Sequence, residues 1–237
     1  MMNEHTAKAF DADLQELARS VAEMGGLAEK QVADAVTSLA KRDGKLAQAV
    51  MAADPAIDTL QREIEEKAIL TIARRQPMAI DLREIVSALR VANDLERIGD
   101  LAKNIAKRVA ELDGDFRPQK LIRGVEHMAD LVLNQLKDVL DAYARRDLAK
   151  ALDVWRGDEE IDAVNNSLFR ELLTYMMEDP RNITFCTHLL FCAKNIERMG
   201  DHATNVAETV YYIVEGRALA DERPKGDNTS FATLLSP

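Results

Sequence analysis

Asp94-Leu95-Glu96-Arg97-Ile98-Gly99-Asp100-Leu101-Ala102-Lys103-Asn104 returns later in the chain as Asn195-Ile196-Glu197-Arg198-Met199-Gly200-Asp201-His202-Ala203-Thr204-Asn205. Both copies read Glu-Arg-x-Gly-Asp-x-Ala-x-Asn, and both lie inside long segments whose apolar residues recur at helical spacing. On a helix, residues four apart stack on one face. Glu96, Asp100 and Asn104 therefore form one oxygen-rich stripe, and Glu197, Asp201 and Asn205 form another. Like charges at that spacing repel by roughly 0.2–0.5 kcal/mol on an exposed helix. A chain that builds the arrangement twice has a use for it, and a bound cation is the simplest one. Gly99 and Gly200 point the same way. Glycine inside a helix costs about 1 kcal/mol relative to alanine, so its place beside each acid marks the close approach of a neighbouring backbone or a ligand.

Working outward, the apolar spacing predicts helices over about 6–41, 45–74 and 78–112, then over 119–145, 148–177 and 181–214. Leu82, Ile85, Leu89, Leu95, Ile98, Ile105 and Val109 form the stripe of the third segment, with Glu96 and Asp100 on its shoulder, where neighbouring helices can reach. Gly25-Gly26 is expected to kink or loosen the first helix, and Pro55 to bend the second without ending it. Pro77 suits the first turn of the third helix, and Gly216 the end of the last. Landmarks recur at a slowly drifting offset: Asp58 and Asp162 are 104 apart, Pro77 and Pro180 103, Glu96 and Glu197 101. A duplicated unit with a few single deletions gives that pattern. The fold class that follows is all-α, with two tandem, pseudo-symmetric three-helix bundles. The first repeat is 1–114, the second 115–216, and 217–237 is a polar tail expected to be flexible, with the boundary turn at 113–118.

Composition agrees. The 237 residues are 47% hydrophobic and 30% charged, with few glycines, prolines or aromatics, a profile for folded, soluble helices. A net charge of −10 argues against a nucleic-acid binder, which presents a basic face, and suits cation binding. No apolar run reaches the ~20 residues of a membrane span, and the N-terminus lacks the form of a signal peptide. Cys186 and Cys192 read as reduced core cysteines, and the chain as cytoplasmic.

Helix carboxylates supplemented by an amide oxygen and by acids of an adjacent helix make sites for hard or borderline cations. The second helix of each half supplies the best added candidates, Asp58 and Asp162, which keep register with the duplication. A ferritin-like di-iron centre needs Glu-x-x-His pairs, and the sequence has none. The competing account is a solvated acidic face paired with Arg97 and Arg198. Asn93, Lys103, Lys194 and Thr204 read as helix surface, Asp158-Glu159-Glu160 as a solvated run, and Trp155 as core or interface. No nucleophile elbow or P-loop is present, so no catalytic residue is assigned.

The doubled motif, with Arg75-Gln76-Pro77 and Asp81-Leu82-Arg83 ahead of its first copy and Thr174-Tyr175-Met176-Met177-Glu178-Asp179-Pro180 ahead of its second, closely resembles the PhoU family. These are accessory proteins of bacterial phosphate-specific transport, and the resemblance covers about residues 6–216. It implies two tandem three-helix bundles that bind metal through Glu96, Asp100, Glu197 and Asp201, with Asp58, Asp162, Asn104 and Asn205 as further ligands. The implied cofactors are divalent or trivalent ions (iron, manganese, zinc or magnesium) in multinuclear clusters. The implied role is negative regulation of the phosphate-starvation response, coupling the ATPase subunit of a phosphate ABC transporter to a phosphate-sensing histidine kinase. The implied protein is a homodimer, at most peripheral to the membrane. A metal-dependent phosphoesterase and a metal-free helical scaffold are the alternatives.

Overall fold

The helical periodicity carries through the computed structural model, which describes residues 2–112 and 119–220. Six long helices follow one another: α1 (Met2–Lys41), α2 (Gly44–Arg75), α3 (Ile80–Val109), α4 (Gln119–Arg145), α5 (Leu148–Glu178) and α6 (Ile183–Glu215). A 3-10 turn, Pro180–Asn182, precedes α6, and no strand occurs among the described residues. The turn expected at 113–118 and most of the expected tail, 221–237, lie outside the described residues.

Arg-Asp pairs shape the first turn of each half. Arg42 and Arg146 adopt the left-handed conformation, with φ of 53° and 56°. The next N–H then folds back onto the helix just ended, Asp43 donating to the Ser38 carbonyl at 2.9 Å and Asp147 to that of Ala142 at 3.0 Å. The same aspartates start the next helix: Asp43 accepts from the N–H groups of Lys45 and Leu46, and Asp147 from that of Lys150. One dipeptide thus ends a helix and caps its successor.

Two local expectations need correction. α1 runs unbroken through Gly25-Gly26. A Cβ on Gly25 would come 2.7 Å from Leu140 Cδ1 of α4, so the missing side chain serves packing between the halves. Pro77 lies outside α3, because Ala79, at φ 52°, turns the chain before the helix begins at Ile80. Pro55 sits inside an uninterrupted α2, and Gly216 ends α6 at φ 74° with its N–H on the Tyr212 carbonyl, both as expected.

The helices α1, α2 and α3 pack pairwise, as do α4, α5 and α6, and the halves meet along α3 against α6 and α1 against α4. The motif helices are therefore central. They run antiparallel, since Arg90 near the start of α3 lies over Tyr212 near the end of α6, and Arg108 near the end of α3 over Phe191 of α6. One continuous apolar core, from Leu17 through Ile57, Ile98, Leu136 and Ile161 to Ile213, spans both halves. Trp155 is buried and donates from Nε1 to Glu208 at 3.2 Å. Cys186 and Cys192 are buried free thiols, and burial pushes that of Cys192 up to about 12.

Candidate functional site

In the first half, α3 turns Glu96 and Asp100 toward α2, which answers with Asp54 and Asp58, while α1 contributes Gln31. Asp54 is only 2% exposed. Its Oδ1 accepts from Gln31 Nε2 at 3.3 Å, and its Oδ2 accepts from the ammonium of Lys103. That ammonium also lies 3.7 Å from Asp100 Oδ1. Arg97 stands at the rim, 3.4 Å from Glu96 and 3.8 Å from Asp100. Burial pushes the Glu96 carboxyl above the ordinary glutamate range; Arg97 opposes the shift, and Asp100, Asp58 and Asp54 add to it. Four acids thus stand close enough to repel one another. Glu96 Oε2 and Gln31 Oε1 are buried and accept no hydrogen bond, the Glu96 oxygen being the one that lies 3.4 Å from Arg97 Nε in the ion pair. Gly99 makes room: a Cβ there would meet Ile57 Cδ1 at 3.0 Å and Gln31 Oε1 at 3.2 Å.

The second half repeats the design from α4, α5 and α6. Glu197 is 6%, Asp158 3% and Asp162 6% exposed, with Asp201 half-buried. Burial raises the Glu197 carboxyl, Lys194 opposes, and Asp201 and Asp162 reinforce the shift. Lys194 donates to Glu197 Oε1 at 2.8 Å, while Glu197 Oε2 and Gln135 Oε1 are buried without a hydrogen-bond donor. A Cβ on Gly200 would meet Ile161 Cδ1 at 3.1 Å and Asp158 Oδ1 at 3.5 Å, so the close approach at both glycines comes from side chains of neighbouring helices.

The structure therefore brings together Glu96, Asp100 and Asp58, and separately Glu197, Asp201 and Asp162. The two asparagines have other surroundings. Asn104 is exposed. Asn205 donates to Asp94 Oδ1 at 3.2 Å across the α3–α6 seam, where His202 Nδ1 lies 2.9 Å from the same oxygen. Asp94 ahead of the first motif is thus tied to the second. Three expectations of exposure are corrected. Asp158 is buried beside Ile161 on the inner face of α5, whereas Glu159 and Glu160 are exposed. Thr204 is fully buried, its hydroxyl 3.3 Å from Asp158. Lys103 is drawn in by Asp54. Sequence reasoning passed over Gln31, Gln135 and Asp54 as site residues. The signal was available, because Gln31 and Gln135, like Asp54 and Asp158, are separated by the same 104 residues as Asp58 and Asp162.

Among the described residues no three His, Cys, Asp or Glu side chains converge at metal-ligand distance. What each half does hold is a set of mutually repelling acids, an amide oxygen and a carboxylate oxygen that are buried and accept no hydrogen bond, and a glycine that leaves room for them. Buried acceptors without donors are rare and call for a partner. An all-oxygen donor set of that kind fits a hard or borderline cation.

These features define a class, a duplicated all-helical protein with one buried acidic cluster in each repeat. The PhoU domain model matches residues 21–109 and 125–210, one match per repeat. A phosphate-specific transport system accessory protein PhoU homolog of Rhizobium meliloti is 60% identical over 97% of each chain. The crystal structure of PhoU from Pseudomonas aeruginosa superposes with a TM-score of 0.83 at 41% identity, over 88% of this chain and 100% of that one. A phosphate transport system regulatory protein PhoU from Streptococcus pneumoniae gives a TM-score of 0.83 at 30% identity, over 90% and 100%. The chain belongs to the PhoU family.

Proposed function

We propose that this chain is a cytoplasmic accessory regulator of phosphate transport, and not an enzyme. It holds the phosphate-starvation response off when phosphate is plentiful by docking, as a homodimer, on the ATPase subunit of a phosphate ABC transporter and on a phosphate-sensing histidine kinase. Its membership of a family whose relatives are named as transport accessory proteins carries the reading. The long helical faces suit docking onto partner domains. No described helix is long and apolar enough to cross a membrane, which agrees with contact through partner proteins. Deletion of the gene tests the proposal. Phosphate-repressible alkaline phosphatase rises in phosphate-rich medium and falls again on complementation, and an enzyme level that stays low contradicts the role.

The acidic clusters are, in this proposal, metal sites. Glu96, Asp100, Asp58 and Asp54 with the Gln31 carbonyl would hold one ion set, and Glu197, Asp201, Asp162 and Asp158 with the Gln135 carbonyl the other. Iron, manganese, zinc and magnesium all accept such oxygen donors, and eight carboxylates suit multinuclear clusters. The observation that supports this is the pair of buried oxygens in each half that accept no hydrogen bond. A bound cation would supply opposite charge to acids that otherwise repel, bracing the three helices of a repeat against one another.

A further inference from the structure

Arg90 and Asp94 stand four residues apart on α3, the spacing at which opposite charges on a helix pair. They do not pair. The Arg90 guanidinium lies over the Tyr212 ring of α6, 4.9 Å from its centroid, and forms no ion pair among the described residues. Asp94, only 8% exposed, turns to α6 instead, with His202 Nδ1 at 2.9 Å and Asn205 Nδ2 at 3.2 Å, both on Oδ1. Its Oδ2 is left to a further donor. Glu208 of α6 is alike: Trp155 Nε1 donates to its Oε1 at 3.2 Å, and among the described residues no donor reaches Oε2.

These three charges line one cleft of about 310 Å³ along the α3–α6 seam, at the small end of the range for ligand pockets. Antiparallel packing sets Arg90 with Tyr212 at one end and Asp94 with Asn205 at the other, about 6 Å apart along the helix axis. Glu208 falls between the two ends in the order of α6. Ala218 and Leu219, from the segment after α6, add an apolar wall. None of the clustered acids of either repeat lines the cleft, so it stands apart from the metal reading.

The charges choose the ligand. One guanidinium against two carboxylates leaves the lining net negative. An anion such as phosphate would gain Arg90 and face both acids, and a simple amine would gain the acids and face Arg90. A zwitterion sets each of its charges against an opposite one and leaves none unpaired. We propose that the seam is a binding site for a small zwitterion of the α-amino-acid class with an aliphatic side chain. Arg90 takes the carboxylate, Asp94 and Glu208 share the ammonium, and the side chain lies against Ala218 and Leu219. Because the walls come from α3 and α6, a bound amino acid bridges the two repeats.

The full-length protein carries its own reporter, since Trp155 is its single tryptophan and its N–H rests on Glu208. Titration with L-leucine, followed by tryptophan emission and by calorimetry, is expected to saturate with a Kd of about 1 mM or below. Two near-isosteres split the ligand's charges: 4-methylpentanoate lacks the ammonium and 3-methylbutylamine the carboxylate. Each is expected to bind at least about tenfold more weakly than leucine. Arg90→Gln weakens leucine by a similar factor and leaves the amine unchanged. Glu208→Gln, which keeps an oxygen for the Trp155 N–H, weakens leucine and leaves the carboxylate unchanged. Circular dichroism checks the fold of both variants, and the comparison of the three ligands on the wild type needs neither. No binding of glycine, alanine, valine or leucine overturns the proposal. So does an isostere that binds as tightly as leucine, inorganic phosphate that binds more tightly, or a leucine Kd unmoved in both folded variants.

Discussion

Each residue of the doubled motif acts through what its neighbours leave it. Gly99 is tightly enclosed by Ile57 and Gln31, whereas a Cβ on Gly26 meets nothing within 4 Å. Alanine at Gly26 therefore gains helix propensity with no clash and is expected to stabilise by about 0.5–1 kcal/mol. At Gly99 the same gain meets overpacking worth about 1–3 kcal/mol, so Gly99→Ala is expected to lower stability. Chemical denaturation of the two variants beside the wild type checks the opposite signs. Glu197 makes a second case. Its buried carboxyl titrates above the ordinary value, so the folded state holds that proton more tightly than the unfolded chain. The stability this contributes is full below the ordinary glutamate range and is lost as pH rises through the raised value. In chelator, Glu197→Gln is expected to melt above the wild type at pH 7, the gap closing as pH falls toward about 4. A wild type that melts higher at pH 7 would mean that the Lys194 pair outweighs burial.

At the scale of the element, the Arg-Asp turns decide where the helices end. Asp43 accepts from two backbone N–H groups and Asp147 from one. Loss of an aspartate cap costs about 0.5–2 kcal/mol, so Asp43→Ala is expected to destabilise more than Asp147→Ala. Thermal melts of the two variants measure the difference. The turns also show how much of the fold was legible. Spacing alone placed all six helices, because apolar residues at period 3.6 leave few alternatives for segments of this length. It could not foresee that Gly25 would serve contact with Leu140 and not a kink, since that purpose lies in another helix. The acids of the motif were legible because they repeat. Gln31 and Gln135 were not, because a lone glutamine on an apolar face carries no charge pattern, and only the duplication register singles it out. Thr204 and Lys103 occupy corresponding positions yet differ in burial and charge, which a consensus of the two copies conceals.

Across the whole molecule, the two repeats share one core and join along antiparallel motif helices, with Asp94 of one tied to His202 and Asn205 of the other. That arrangement places both acidic sets on the helices that hold the halves together. Metal binding in either repeat would thus stiffen the same central pair. The central claim, that the duplicated stripes are ligand sets, is tested most directly by elemental analysis of gently purified protein. The comparison is the double variant Asp100→Ala with Asp201→Ala. The account predicts stoichiometric iron, manganese, zinc or magnesium in the wild type and its loss in the variant, with helicity preserved. Metal absent from the wild type, or retained undiminished in a folded variant, would contradict it.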